Sequence, residues 1–139
     1  MPHAEQFPFV ASDPARGASA LLPYLPLTQT THGDAVSVMG LLDSGATINV
    51  LPYAIGQQLG AVWEDQTAAV QLTGNLAQQE ARALLVSAVV GKFAPARLAF
   101  AWTKSDAVPV ILGQVNFFME FDVCLFRSRS VIEVKPKKP

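Results

Sequence analysis

Short apolar runs, separated at close intervals by glycine, proline and asparagine, occupy most of this chain. The pattern predicts strands over 21–30, 36–42, 48–51, 70–73, 76–90, 92–102, 108–112, 122–126 and 130–134. Helical spacing occurs only in two short segments, 53–59 and 114–120. Many short strands with brief helical pieces are typical of an all-β fold.

Turn residues divide the chain further. Pro23 and Pro26 restrict the first long strand to an edge or an irregular course, because proline cannot donate a ladder hydrogen bond. The dipeptide Gly74-Asn75 permits a two-residue hairpin turn between 70–73 and 76–90. Residues 1–20 are proline-rich and lack a sustained period, so we expect an irregular leader. One domain over 21–134 and a charged tail over 135–139 complete the predicted organisation.

Length and composition limit the kinds of protein that this sequence can encode. With 139 residues, the chain has the length of a single domain. Half of its residues are hydrophobic and 15% are charged, which leaves apolar surface for a subunit interface or a cleft. A net charge of −1 predicts no attraction to nucleic acid or to an anionic membrane.

The single cysteine, Cys124, excludes an intramolecular disulfide and is typical of a reducing compartment. Its apolar neighbours predict a core position. No basic residue precedes an apolar run at the N-terminus, and no apolar stretch reaches the length of a membrane helix. We therefore expect a cytoplasmic protein. His3 and His32 stand far apart without cysteine or carboxylate at ligand spacing, so no metal or other cofactor is expected.

The best candidate for a functional segment is a run that occurs once in the sequence: Leu41-Leu42-Asp43-Ser44-Gly45-Ala46-Thr47. Two apolar residues bring a carboxylate to the end of a strand, and a hydroxyl and a glycine follow in a tight turn. Asp-Ser-Gly is also common in ordinary turns, because these side chains bond to nearby backbone. A single carboxylate cannot perform two-carboxylate chemistry, so a catalytic role requires a second copy of the chain.

This run, with Val50-Leu51-Pro52 after it, resembles the active-site segment of retropepsin-type aspartic proteases, the single-domain enzymes of retroviruses and some bacteria. Ile111-Leu112-Gly113, followed by the helix predicted at 114–120, matches the second element of that family. The turn at 73–78 matches the flap between them. The resemblance implies a closed β-barrel equivalent to half of an acid protease, with a flap hairpin and one short C-terminal helix.

The same resemblance implies an activity and a set of site residues. Asp43 from each subunit of a homodimer would form an acid dyad that activates water for peptide-bond hydrolysis. Ser44 would brace the two loops, and Gly45 would allow close backbone approach. Thr47, Leu112 and Gly113 would support the loop. The residues implied in binding a peptide or protein substrate are Leu72, Gly74, Asn75, Leu76 and Ile111.

Two alternatives remain open. The chain could be a catalytically silent dimerisation or peptide-binding module of the same fold, or its leader could be a pro-segment removed by self-cleavage. Members of this family often build the dimer sheet from both chain ends. Here the leader is long and proline-rich, and the last predicted strand is followed by a charged tail.

Overall fold

The structure is a computed structural model that describes residues 3–11, 20–31 and 33–138. Its strands are β1 (Glu5–Pro8), β2 (Val10–Ala11), β3 (Leu21–Leu22), β4 (Tyr24–Thr30), β5 (Ala35–Leu42), β6 (Asn49–Leu51), β7 (Ala81–Val89), β8 (Ala96–Thr103), β9 (Val110–Leu112), β10 (Phe121–Phe126) and β11 (Val131–Pro136). The helices are α1 (Tyr53–Gln58) and α2 (Phe117–Glu120), with 3₁₀ turns at Trp63–Asp65, Gly74–Leu76 and Arg127–Arg129. His32 and leader residues 12–19 lie outside the described part.

Six strands close into a barrel in the order β4-β5-β9-β6-β8-β7. The all-β prediction is confirmed. The edge position expected for the first long strand is wrong, because β4 pairs with both β5 and β7. Pro26 is tolerated because β7 pairs only with Thr28–Thr30, so Pro26 lies opposite β5 alone. No helix formed by the described residues is long and apolar enough to span a membrane.

Alternating side chains of the barrel strands fill its interior. Leu25 and Leu27 of β4, Val86 of β7 and Leu98 and Phe100 of β8 are all buried. Burying each such side chain contributes about 1.5–3 kcal/mol. This continuous core fixes the barrel strands against one another. It thereby also fixes the strand ends, where the polar residues of the Asp43 motif lie.

The leader is not irregular throughout, so that expectation is wrong for its described residues. Strand β1 pairs antiparallel with β11, with Phe7 opposite Ile132, and a second sheet forms in the order β1-β11-β10. Phe7 packs against the barrel core, and the Glu5 carboxylate accepts the Lys92 N–H at 2.8 Å. The prolines obscure the alternation of this strand in the sequence, although Pro8 stands only at its end.

Two further expectations near the C-terminus are wrong. The tail begins later than residue 135, since β11 continues to Pro136 and Lys137 pairs with Glu120. Cys124 is exposed rather than buried. The reason is the pleat of β10: Val123 packs against the core, and Cys124 points to the opposite face of the sheet.

Gly40 of β5 supplies a test of how tightly the barrel is packed beneath the motif. A Cβ at residue 40 would lie 2.7 Å from the Leu112 side chain, which is fully buried and has no room to move. We expect Gly40→Ala to lower the free energy of unfolding by about 1–3 kcal/mol. Urea denaturation measures this change, with Ser37→Ala on the exposed face of the same strand as control. A Gly40→Ala variant as stable as the control would contradict the packing described.

Candidate active site

Parallel pairing of β5 with β9 positions the Asp43 carboxylate. Leu41 lies opposite Ile111 and Leu42 opposite Leu112, and the Asp43 N–H continues the ladder by donating to the Leu112 carbonyl at 3.0 Å. Strand β6 pairs with β9 on its other side, with Val50 opposite Ile111. The strand ends therefore bring Asp43 and Gly113 side by side, although 69 residues separate them in the chain.

The Asp43 side chain is held by its own turn. Its Oδ1 accepts the Gly45 N–H at 2.9 Å, and its carbonyl accepts the Ala46 N–H at 3.1 Å. In the described residues, Oδ1 is the only carboxylate oxygen of Asp43 with a hydrogen-bond partner. The carboxylate is half-buried. One oxygen is thus fixed by the backbone, and the other is left for a group from outside the turn.

Segment 113–115 braces the loop that follows Asp43. Gln114 donates through its N–H to the Ala46 carbonyl at 2.9 Å and through Nε2 to the Ser44 carbonyl at 2.8 Å. The contact is so close that a Cβ on Gly113 would lie 2.5 Å from the Ile48 carbonyl oxygen. Since backbone cannot yield as a side chain does, only glycine fits at this position.

A buried amide pair under this loop was missed in the sequence. Asn49 is fully buried; its Oδ1 accepts the Gly113 N–H at 2.8 Å, and its Nδ2 donates to Asn116 Oδ1 at 3.1 Å and to the Ala99 carbonyl at 3.0 Å. Asn116 Oδ1 also accepts the Ala99 N–H. The sequence signal for this pair is Asn49 itself, a polar residue inside the apolar run 48–51. These bonds tie β6, β8 and the 113–116 segment together.

An open cleft of about 230 Å³ lies over the loop. Its walls are apolar where Val50, Leu72 and Ile111 meet. The segment above it, residues 70–80, is not the predicted β-hairpin, because residues 70–73 form no strand and β7 begins only at Ala81. Its arms pair only at the base, where Val70 donates to the Ala81 carbonyl at 3.0 Å, and its tip is the 3₁₀ turn at Gly74–Leu76 with Gly74 at φ +63°. A positive φ favours glycine at this tip.

The cleft contains most of the side chains that the sequence singled out. Those lining it are Asp43, Gly45, Thr47, Leu72, Gly74, Asn75, Leu76 and Ile111. Ala46, Ile48 and Val50 also line it and were not predicted, and Thr73 of the predicted flap turn lines it as well. Ser44 is exposed outside the cleft lining, and Leu112 and Gly113 lie buried beneath it. Thr47 holds the loop through its carbonyl, which accepts the Val115 N–H at 2.9 Å.

The cleft has one acid. Asp43 is the only carboxylate among its lining residues. Across the described residues, no group of three histidine, cysteine, aspartate or glutamate side chains is placed to hold a metal ion. The site therefore consists of one half-buried carboxylate on a braced loop. It faces an apolar cleft that lies under a segment with glycine at its tip.

Comparison with known families decides the classification. A family model described as aspartyl protease matches residues 28–115, which includes the Asp43 loop, the segment over the cleft and Gly113. The chain belongs to the aspartyl protease family. Together with the solved structures that share its fold, this family match confirms the retropepsin-type resemblance of the motif.

Solved structures agree on the fold of this aspartyl protease family member. A retropepsin-like aspartic protease from Rickettsia conorii matches with a TM-score of 0.61 and 15% identity, over 95% of this chain and 91% of that one. The retroviral protease-like domain of Ddi1 from Leishmania major matches with a TM-score of 0.59 and 16% identity, over 84% of this chain and 94% of that domain. At these identities the likeness establishes a retropepsin-like fold. A search among curated proteins found no match.

A substitution at Asn49 that exchanges a single side-chain group tests the role of the buried amide pair beneath the loop. In Asn49→Asp, a carboxylate oxygen replaces the Nδ2 donor and faces the Ala99 carbonyl and Asn116 Oδ1. Loss of these bonds in a buried position should lower the free energy of unfolding by about 1–3 kcal/mol. Thermal or urea unfolding measures the loss, and the exposed Gln58→Glu on α1 is the matched control. Equal stability of the two variants would show that the network does not hold the loop.

Proposed function

We propose that this chain is an aspartic endopeptidase that acts as a homodimer, with Asp43 from each copy forming the catalytic dyad. The observation that carries the proposal is the single carboxylate of the cleft, held by the Gly45 N–H on a loop braced by Gln114. Two-carboxylate hydrolysis needs a second acid of the same kind beside it. A two-fold axis supplies one by placing the same residue next to its own copy.

The chemistry follows from like charges brought together. Two carboxylates in contact resist a second ionisation, so the pair retains one proton; the aspartic protease dyad is the standard example. The ionised member takes a proton from water as the water oxygen attacks the peptide carbonyl carbon. The protonated member donates its hydrogen bond to the carbonyl oxygen as negative charge develops there. The C–N bond then breaks as the leaving nitrogen takes the proton that the dyad received from water, which returns the pair to one shared proton. No metal or organic cofactor takes part in this proposal.

The loop geometry suits this role. Because the backbone N–H of Gly45 occupies Oδ1, that oxygen is oriented without a side-chain partner that could move. Ser44 lies exposed beside Asp43, where its hydroxyl would meet the partner's loop near the axis. Both features reduce the motion of the carboxylates before substrate arrives, and positioning of this kind contributes much of catalysis.

The cleft indicates the class of substrate. Leu72, Leu76 and Ile111 present apolar surface around the acid, which favours large hydrophobic side chains on either side of the cleaved bond. The segment tipped by Gly74 and Asn75 would close over an extended peptide and offer its backbone for strand-like pairing. The proposed substrates are therefore peptides or proteins. The lone exposed thiol of Cys124 favours a reducing compartment such as the cytoplasm.

The first test removes the acid. Asp43→Asn keeps the shape and the Oδ1 acceptor for Gly45 but loses the ionisable group, so we expect peptide cleavage to fall by at least about a thousandfold. Cleavage of a panel of fluorogenic peptides measures the rate, and Asp34→Asn, an exposed residue directly before β5, is the control. An Asp43→Asn enzyme that keeps its activity would refute the proposal. Binding of a statine-type inhibitor without any cleavage by the native chain would support a silent module.

A second test varies protein concentration and pH. If two copies form the dyad, the specific activity should fall on dilution below the dissociation constant of the dimer. Because the dyad works with one shared proton, the rate should pass through a maximum under mildly acidic conditions and decline on both sides. Initial rates at serial dilutions and across a pH series measure both effects. Specific activity independent of dilution, at concentrations where sedimentation finds monomer, would contradict the dimer.

A further inference from the structure

The segment over the cleft, residues 70–80, takes its position from its base. Among the described residues, all hydrogen bonds made by residues 71–79 stay within the segment. Between its ends, the segment contacts the barrel through apolar side chains such as Leu72 and Leu76. Apolar contact is not directional, so it does not fix the height of the tip above the acid. That height depends on whatever holds the base.

Arg82 of β7 contacts three parts of the structure at this base. Its backbone lies opposite Trp102 of β8 on one side and bridges Ala69, in the first arm of the segment, on the other. Its side chain extends to the 3₁₀ turn that precedes this arm. There Nη1 donates to the Trp63 carbonyl at 2.8 Å and to the Gln66 carbonyl at 3.2 Å. One residue thus joins both arms of the base to the turn before them.

The turn that Arg82 holds is anchored in the core. The Trp63 side chain is buried, and its ring centroid lies 5.1 Å from that of Trp102 and 5.9 Å from that of Tyr53. Trp102 is fully buried, and its Nε1 donates to the Tyr53 carbonyl at 3.1 Å. The Arg82 guanidinium carbon lies 4.7 Å from the centre of the Trp63 ring. Arg82 therefore fastens the base of the segment to an aromatic cluster of the core.

The ion pair between Arg82 and Glu80 is the weaker of the contacts that Arg82 makes. Its N–O distance is 3.6 Å, and the Glu80 side chain is 63% exposed. Exposed ion pairs contribute little to stability. The bonds to the two carbonyl oxygens have a charged donor, which makes them about twice as strong as neutral hydrogen bonds. The carbonyl contacts, and not the ion pair, are thus the ones that hold the base.

We propose that Arg82 is a positioning residue for peptide cleavage: it clamps the base of the segment, so that the tip covers a bound peptide in one position. The inference rests on the proposed function. A segment held at its base loses less freedom when it closes on a peptide, so the peptide binds more tightly. The cover is in place in the bound state and in the transition state alike. Loss of the clamp should therefore raise KM and leave kcat nearly unchanged.

Arg82→Met tests this role in kinetics, because methionine keeps an unbranched stem beside Trp63 and has no donor. We expect KM for a fluorogenic peptide to rise at least about fivefold, with kcat within about twofold of native. Arg82→Lys keeps a cationic donor and should recover part of the KM. Arg97→Met is the matched control, because it removes the same charge from an exposed position on β8.

Three kinetic results overturn the proposal. The first is a KM that Arg82→Met leaves unchanged, whatever happens to kcat. The second is an equal rise in Arg97→Met, which would assign the effect to charge. The third is an Arg82→Lys variant no better than Arg82→Met, which would show that the donor is not what matters.

Hydrogen exchange tests the clamp without relying on cleavage. The Val70 N–H donates to the Ala81 carbonyl and the Ala83 N–H to the Ala68 carbonyl, so these two amides report opening of the base. Arg82→Met should speed their exchange by at least about tenfold and leave the amides of β11 as slow as in the native chain.

Glu80→Gln separates the ion pair from the clamp, and it should leave exchange at Val70 and Ala83 unchanged. Thermal unfolding verifies that each variant folds; if Arg82→Met does not fold, Arg82→Lys is measured in its place, with a smaller rise expected. Unchanged exchange at the base overturns the proposal. So does an equal rise throughout the chain, or an effect of Glu80→Gln as large as that of the Arg82 variant.

The two proposals fail in distinguishable ways. Unchanged exchange and KM in Arg82→Met, with Asp43→Asn inactive, overturns the clamp and leaves the proposed function standing. An active Asp43→Asn variant refutes the proposed function and with it the role of Arg82 in cleavage. The exchange data then report on the clamp alone.

Discussion

Close backbone contact between Gly113 and the carbonyl oxygens of Ala46 and Ile48 governs the geometry of this site. Parallel pairing of β5 and β9 directs Asp43 and Gly113 to the same end of the barrel, and the absence of a Cβ lets the two segments meet. Hydrogen bonds then lock them: the Asp43 N–H donates to the Leu112 carbonyl, the Gln114 N–H to the Ala46 carbonyl, and the Gly113 N–H to Asn49 Oδ1. The carboxylate is therefore positioned by strand ends and backbone, which are the least mobile parts of a small protein.

The consequence of this arrangement is a cleft with a single acid. A braced loop, apolar walls and a glycine-tipped cover surround this cleft, and Asp43 is the only acid in its lining. The homodimer proposed above supplies the second acid from another copy of the chain.

Local patterns predicted the parts of this site that depend on neighbours in sequence. Apolar runs predicted most of the barrel strands, and the Asp43 turn and the Ile111–Gly113 element were found because each is contiguous. Long-range pairing decided the rest. Strand β1 exists because β11 lies beside it, and Cys124 is exposed because the outer face of that sheet is uncovered. In the sequence, Asn49 stands out only as a polar residue in an apolar run, because its partners Asn116 and Gly113 lie more than 60 residues away.

The central claim is that each active site takes one Asp43 from each of two chains. Mixing native and Asp43→Asn chains at fixed total concentration, well above the dimer dissociation constant, tests it most directly. If both acids are needed, activity should fall as the square of the native fraction, to about one quarter in an equal mixture. A linear fall, to about one half in that mixture, would show that a single chain carries the whole site.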